Sequence, residues 1–253
     1  MKLLYGSFIS CALLAGSMPA ADVPNRGEIT ALARTFLRDS AELPMDVQVQ
    51  TLVTDAKGKK KRDAHSNVRF FFSGFNAKSE RYTFRSTAGF MSLRILHDSL
   101  AGNFVAINAF TSLAPQSGKP DGVTIEPGAT ADTFAIRSQP AADCSRFRMS
   151  TKYLYPELFC YSVLFHVTKD GSGKLTIQNF AVDIEKLPVQ GKVGYLGDAQ
   201  IRKIHSTGEV QEAHLGDDPR PFLVPKRVTT TIETDKGSVV VTNDYTLQPD
   251  AKK

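Results

Sequence analysis

The residues of this chain whose types suit acid–base or metal chemistry are its histidines and a short acidic segment beside one of them. The five histidines are His65, His97, His166, His205 and His214. His214 is followed closely by Asp217 and Asp218, a mixture of nitrogen and oxygen donors that suits a metal ion. His205 would join this group across a loop. These four residues are the candidates for an envelope hydrolase, with Cys144 as an added nucleophile if its thiol is free.

The sequence contains none of the short motifs that mark common hydrolases and nucleotide-binding proteins. It has no G-x-S-x-G, S-x-x-K or H-E-x-x-H motif, no P-loop and no Rossmann-type glycine spacing after a predicted strand. A polar turn before Pro219 accounts for residues 214–218 without any metal. We therefore predict no catalytic residues, no metal and no cofactor, and an enzyme is the second hypothesis.

Two cysteines, Cys144 and Cys160, remain once a third, Cys11, is assigned to the N-terminal leader described below. In an exported protein such a pair predicts a disulfide. The bridge would close a loop of about 17 residues and contribute roughly 3 kcal/mol in the chain-entropy model. The alternatives are two free buried thiols or a thiol nucleophile. No C-x-x-C motif indicates a redox role.

Five basic residues fall within six positions: Lys57, Lys59, Lys60, Lys61 and Arg62. They follow the turn sequence of residues 55–58, so the favoured interpretation is a solvated hairpin tip that keeps a sheet edge soluble. The alternative is contact with anionic membrane headgroups, lipopolysaccharide or another polyanion. The formal net charge of +5 is too small to predict a nucleic-acid partner.

Phenylalanine is the abundant aromatic residue, with sixteen Phe, seven Tyr and no Trp. Most of these side chains are expected in the core. The alternative is a Phe-lined cavity that holds an acyl chain, since sites for apolar ligands are concave and rich in aromatic residues. The residues predicted to line that cavity are Phe70, Phe72, Phe90, Phe104, Phe110 and Phe165.

The first twenty residues have the layout of a secretory signal peptide. Lys2 precedes an uncharged apolar run over residues 3–15, and small residues with a proline follow up to Ala20. The run is shorter than the roughly 20 apolar residues that span a bilayer. We expect cleavage near Ala20 and a periplasmic or secreted bacterial protein.

The remaining residues, 21–253, predict a single β-rich domain. Apolar residues at helical spacing predict a helix over 29–37, with Asn25 and Glu28 at the spacing of a capping box. Period-two alternation predicts strands at 45–54, 65–75, 80–87, 161–168, 175–184, 199–205, 227–233 and 238–247. A change of phase in the strand over 175–184 predicts a β-bulge near Asn179.

Two segments between these strands differ in character. Residues 88–113 are the most apolar part of the mature chain and predict one or two helices, as a core element or as the lid of a cavity. Residues 115–132 are punctuated by Gly and Pro and predict a loop between the two halves of the domain.

These elements predict an α+β fold: a long, bent, half-barrel-like antiparallel sheet with an N-terminal helix and one or two apolar helices packed on it. This order of elements resembles the half-barrel of bacterial periplasmic lipoprotein carriers and related lipid-binding lipoproteins. The resemblance implies binding of a lipid or a lipidated protein. It rests on the order of elements, and no motif transfers functional residues to this chain.

The leading hypothesis is therefore an exported cell-envelope binding protein, ahead of an enzyme. It would hold a lipid, an acyl chain or a lipidated partner in an apolar cavity between sheet and helix. The basic residues of the hairpin tip would contact an anionic membrane surface. The third hypothesis is an envelope interaction module without a pocket, which would expose an apolar patch or a strand edge.

Overall fold

The computed structural model describes residues 22–36, 43–76, 81–86, 123–138, 160–185, 189–193, 196–214 and 222–248. These residues form a helix, α1 (Arg26–Phe36), and eleven strands. The strands are β1 (Leu43–Asp55), β2 (Lys60–Asn76), β3 (Arg81–Ser86), β4 (Val123–Pro127), β5 (Thr133–Ser138), β6 (Cys160–Lys169), β7 (Leu175–Glu185), β8 (Val189–Val193), β9 (Gly197–Ala213), β10 (Phe222–Thr234) and β11 (Gly237–Leu247).

All eleven strands belong to one antiparallel sheet. Its order is β3-β2-β1-β11-β10-β9-β7-β6-β5-β4, and β8 pairs with β9 beside this path. β1 and β11 are direct neighbours, paired from Met45 with Leu247 to Asp55 with Gly237. Within the described part of the chain, β3 and β4 are the two edge strands and do not pair with each other, so the sheet is open.

The alternation of side chains along each strand gives the sheet two different faces. In β1, Met45, Val47 and Val49 are buried, whereas Gln48 and Gln50 are exposed. Paired residues of antiparallel strands lie on the same face, so the register extends this alternation across the sheet. We call one side the buried face, defined by the row Val49, Asn243, Val228, Phe180, Phe165 and Ile136, and the other the polar face, defined by the row Gln48, Asp244, Arg227, Glu209 and Asn179.

α1 begins at a capping box and packs on the buried face. The N–H of Asn25 donates to Glu28 Oε2 at 2.7 Å, and the N–H of Glu28 donates to Asn25 Oδ1 at 3.1 Å. This reciprocal pair satisfies two amides at the helix start. Ile29 and Leu32 join the core cluster, and α1 packs chiefly on β10 and β7. Lys169, at the end of β6, anchors the helix with its Nζ 2.9 Å from Glu28 Oε1.

Five breaks in register insert an extra residue into a strand, and such bulges bend the strand and increase its twist. The extra residues are Lys61, Gly74, Gln178, Arg202 and Lys226. The bulge at Gln178 confirms the interruption predicted near Asn179. It moves Phe180 onto the same face as Ile177, although the two residues are three apart in the chain.

The coarse prediction of the fold, one large antiparallel sheet with an N-terminal helix, is confirmed, and so are the capping box and the turns before Gly58 and Gly237. The prediction of an uninterrupted loop over 115–132 is wrong, because residues 123–127 form β4 and pair with β5. β5 and β8 have no counterpart in the sequence prediction. The leader at 1–20 and the apolar helices predicted at 88–113 lie outside the described residues.

Candidate binding site

The buried face is a continuous apolar surface that extends from β1 to β5. Its largest fully buried side chains include Phe165, Phe180, Met45, Ile136 and Ile201. A sheet face of this kind requires a second layer of protein or another apolar body against it. Among the elements that the structure describes, α1 supplies such a layer mainly in front of β10 and β7. The face is therefore much wider than the helix that packs on it.

The centre of the buried face is built around a glycine. Phe180 pairs with Gly208 across β7 and β9, and its ring lies over the Gly208 backbone. Phe165 pairs with Phe180 from the other side, with ring centroids 6.2 Å apart and a tilt of 43°. This separation is within the range of favourable aromatic pairs. The two rings form an apolar platform at the middle of the sheet.

A few polar groups interrupt the apolar surface. Ser206 Oγ lies 2.8 Å from Thr230 Oγ1, and Asn243 Nδ2 donates to the Tyr245 hydroxyl at 3.4 Å. Burial raises the pKa of Tyr245 far above its usual value, so the phenol is neutral at physiological pH. The buried Ser66 Oγ contacts no hydrogen-bond partner in the described part of the protein. Isolated hydroxyl and amide groups in hydrocarbon surroundings are typical of sites for amphipathic ligands.

The six phenylalanines predicted to line an acyl-chain cavity have different outcomes. Phe165 is fully buried on the buried face. Phe70 and Phe72 belong to β2, where the register pairs them with Met45 and Leu43. The other three, Phe90, Phe104 and Phe110, lie outside the described residues. The cavity between sheet and helix thus remains a prediction.

The hairpin between β1 and β2 presents the predicted basic cluster, Lys57, Lys59, Lys60, Lys61 and Arg62, and all five residues are exposed. Asp55 closes the turn, since its Oδ1 accepts from the N–H groups of Lys57 and Lys59 at 2.9 and 3.0 Å. The hydrogen bond from Lys61, whose Nζ is 3.0 Å from Asp55 Oδ2, lowers the pKa of Asp55, with the turn amides adding to the effect. Lys60 to Arg62 belong to β2, so the strand begins earlier than predicted.

The positive charges of this cluster are only partly neutralised. Lys61 pairs with Asp55, and Lys60 Nζ lies 3.2 Å from Asp63 Oδ2. Lys57 and Lys59 have no carboxylate within ion-pair distance among the residues that the structure describes. The cluster therefore presents uncompensated positive charge to solvent.

A second hairpin lies directly beside the first. The turn sequences Thr54–Gly58 and Thr234–Gly237 are similar, and the register pairs Asp55 with Gly237. Thr54 Oγ1 and Ser238 Oγ are 2.7 Å apart. Lys236 in the second turn donates to the carbonyl of Asp198, at the start of β9. We call the region formed by these turns and the start of β9 the hairpin end of the sheet.

The two candidate hydrolase residues that the structure describes, His205 and His214, do not come together. His205 lies on the polar face, with its Nδ1 2.7 Å from Asp183 Oδ1. His214 follows the far end of the same strand, nine residues later, which corresponds to about 30 Å along β9. Asp217, Asp218 and Cys144 lie outside the described residues. The predicted association of His205 with His214 is therefore wrong, because a long strand separates them.

The polar face is crossed by ion pairs and contains an open cavity. Arg69 donates twice to Asp46, at 2.6 and 3.0 Å, and Arg227 donates twice to Asp244, at 2.5 and 2.9 Å. The hydrogen bond from Arg69 lowers the pKa of Asp46. Beside Asp46 a cavity of about 690 Å³ is lined by Val47, Gln48, Asn67, Val68, Arg69, Thr246 and Gln248. This open cavity lies beside the Asp46–Arg69 ion pair and is not the one predicted between sheet and helix.

Other candidate sites are less informative. Cys160 is the first residue of β6, and Cys144 lies outside the described residues, so the disulfide stays a prediction. Over the described ranges, no three His, Cys, Asp or Glu side chains are grouped to hold a metal ion. In the same part of the chain, no helix has the length and hydropathy of a membrane span.

Neither a family model nor a curated protein matches the sequence. Among solved structures, the chain is similar to the crystal structure of a LolA superfamily protein from Nitrosomonas europaea. The two share 12% sequence identity, the alignment covers 87% of this chain and 91% of the other, and the TM-score is 0.37. A similarity of this size does not transfer a function to this chain.

Proposed function

We propose that this chain is an exported binding protein of the bacterial cell envelope that holds an acyl chain, from a lipid or a lipidated partner, against the buried face of its sheet. The observation that carries the proposal is the width of that face. It is apolar from β1 to β5, while α1 packs chiefly on β10 and β7. Apolar surface costs roughly 25 cal/mol per Å² when it is exposed to water, so a face of this width needs an apolar cover beyond α1, and an acyl chain would supply part of that cover.

In this proposal the segment 88–113, which the sequence predicts to be helical and apolar and which lies outside the described residues, would supply the second wall of the site. An acyl chain between this segment and the sheet would contact the platform of Phe165 and Phe180. The hydroxyls of Ser206 and Thr230 would lie near its polar end. The predicted leader at 1–20 supports export to the periplasm, where such a protein would meet envelope lipids.

Because the chain contains no tryptophan, a single introduced Trp is a clean probe of acyl-chain contact. Phe134 and Ala135 are adjacent on β5 and lie on opposite faces, Phe134 on the buried face. We expect a brominated fatty acid to quench the fluorescence of Phe134→Trp in a saturable manner. The matched control, Ala135→Trp, should be quenched only by collision.

Native mass spectrometry of protein purified from a bacterial periplasm provides a second test. The proposal expects an excess mass that is released on denaturation and has the composition of a lipid. Equal quenching of the two Trp variants, together with a native mass equal to the chain alone, would overturn the proposal. That outcome would favour an interaction module without a pocket.

A further inference from the structure

The charges of the molecule are separated along the direction of its strands. At the hairpin end, the basic cluster is joined by Arg202, Lys203 and Lys236, which gives eight cations. The carboxylates there number five: Asp55, Asp63, Asp198, Glu233 and Asp235. At the opposite end, around α1 and the turn between β6 and β7, five carboxylates outnumber four cations: Asp22, Glu28, Asp132, Asp170 and Glu212 against Arg26, Arg34, Lys169 and Lys174. The described molecule is thus positive at one end and negative at the other.

Several contacts at the hairpin end engage backbone groups and do not join a cation to a carboxylate. Asp235 is engaged by the backbone, since its Oδ1 accepts from the N–H of Gln200 at 2.8 Å. Lys236 is held on a backbone carbonyl rather than on a carboxylate. The bulges at Lys61 and Arg202 each add a basic residue next to a turn. Lys57 and Lys59 project from the turn itself.

The apolar face reaches this same end. Val53, Val239 and Ile232 are paired in consecutive strands and are buried, and each lies two residues from its hairpin turn. An anionic surface that contacts the turns would therefore lie next to the edge of the buried face. A bilayer is the anionic surface that also contains apolar chains, which distinguishes it from a nucleic acid or an acidic protein.

We propose that the hairpin end docks on anionic phospholipid headgroups and orients the buried face with its edge toward the bilayer. This inference rests on the proposed function, because it assigns the route by which an acyl chain reaches the buried face. The long-range charge separation orients the approaching molecule, and the turn lysines make the close contacts with lipid phosphates.

The test is co-sedimentation with vesicles of phosphatidylcholine containing phosphatidylglycerol, compared with phosphatidylcholine alone. We expect binding to the anionic vesicles only, and its loss at high salt. Lys57→Gln/Lys59→Gln removes two exposed charges without touching the buried face. Its partitioning should fall about thirty-fold, the effect of two membrane-facing lysines. Lys174→Gln/Lys226→Gln, which removes the same charge away from the hairpin end, should stay within about two-fold of the parent protein.

An equal loss in both double variants would overturn the proposal, since binding would then follow net charge alone. Failure of the parent protein to bind anionic vesicles would also overturn it, including the case in which it binds soluble polyphosphate instead. The Phe134→Trp assay uses monomeric fatty acid and no membrane. Saturable quenching in that assay without vesicle binding would refute docking and retain the acyl-chain site. Vesicle binding without such quenching would refute the acyl-chain site alone.

Discussion

The ring of Phe180 occupies the space that a side chain would take on its cross-strand partner Gly208. A Cβ on Gly208 would come within 2.1 Å of Phe180 Cζ. Glycine inside a strand has no side chain to pack, and an aromatic ring across the pair restores the missing contact. Because Phe180 also contacts Phe165, this one glycine determines where both rings of the central platform lie.

Gly208→Ala should destabilise the protein by about 1–3 kcal/mol, since the added methyl displaces a ring in a well-packed core. Chemical denaturation measures the change in the free energy of unfolding. Gly171→Ala is the matched control, because a Cβ there meets no atom within 4 Å. In a Phe180→Leu background the cost of Gly208→Ala should shrink. An unchanged cost in that background would contradict the proposed clash.

Gly237→Ala should cost about 2 kcal/mol or more, because strain and collision act together. Gly237 has φ = 141°, and a Cβ there would lie 2.0 Å from the carbonyl oxygen of Thr54, a backbone atom that cannot rotate away. Gly58→Ala separates the two causes, because Gly58 has φ = 75° with nothing within 4 Å of its Cβ position. It should cost only about 1 kcal/mol. Equal losses of thermal stability in Gly237→Ala and Gly58→Ala would refute the collision.

The buried hydroxyl pair of Ser206 and Thr230 should show strong coupling in a double-mutant cycle. Ser206→Ala alone leaves the Thr230 hydroxyl buried without this partner, which costs about 1–3 kcal/mol. Thr230→Val should have a similar effect. The double variant should lose clearly less than the sum of the two, because no polar group is then stranded. If the losses in the free energy of unfolding in urea were strictly additive, the two hydroxyls would not be coupled.

The contact of α1 with the sheet should weaken in acid. The hydrogen bond from Lys169 and the capping box lower the pKa of Glu28 below its ordinary value of 4.5. The unfolded chain therefore binds more protons than the folded one near and below pH 4.5, so stability falls as the pH falls through this range. Above it the contribution is fully present. Lowered carboxylate pKa values such as that of Asp46 act in the same direction.

Glu28→Gln isolates the charge, since Gln still forms a capping box. It should cost about 0.5–1 kcal/mol at neutral pH, and the cost should shrink as the pH falls below the ordinary pKa of 4.5 and Glu28 itself becomes protonated. Thermal melting across this pH range measures the difference. Glu212→Gln, whose partner Lys174 is far more exposed, is the control and should have little effect. A constant difference between Glu28→Gln and the parent at all pH values would exclude the ionic origin.

The sequence predicts the strands with long, regular alternation, because burial of one face imposes a period of two. Val47, Val49 and Val53 of β1 are an example, and all three are buried as expected. It also predicts the bulge at Gln178, since an extra residue leaves a visible change of phase. β4 is only five residues long and is flanked by Gly and Pro, so its local signal is that of a loop. Pairing with β5, which is a tertiary interaction, makes it a strand.

The sites were harder to predict than the strands, because they depend on register rather than on spacing. Asp183 is 22 residues from His205 in the chain, and only the pairing of β7 with β9 joins them. The similar turns that end at Gly58 and Gly237 are visible in the sequence, but their contact results from the pairing of β1 with β11. The basic cluster is visible directly in the sequence, since its five residues fall within six positions.

The pairing of β1 with β11 also determines when this chain can fold during synthesis. Among the described strands, β11 is the one that joins the hairpin of β1 and β2 to β10, so this junction forms only after residues 237–247 have been made. Contacts of such long sequence separation form slowly. The nascent chain would thus stay incompletely folded for a longer time, which is compatible with the export proposed above.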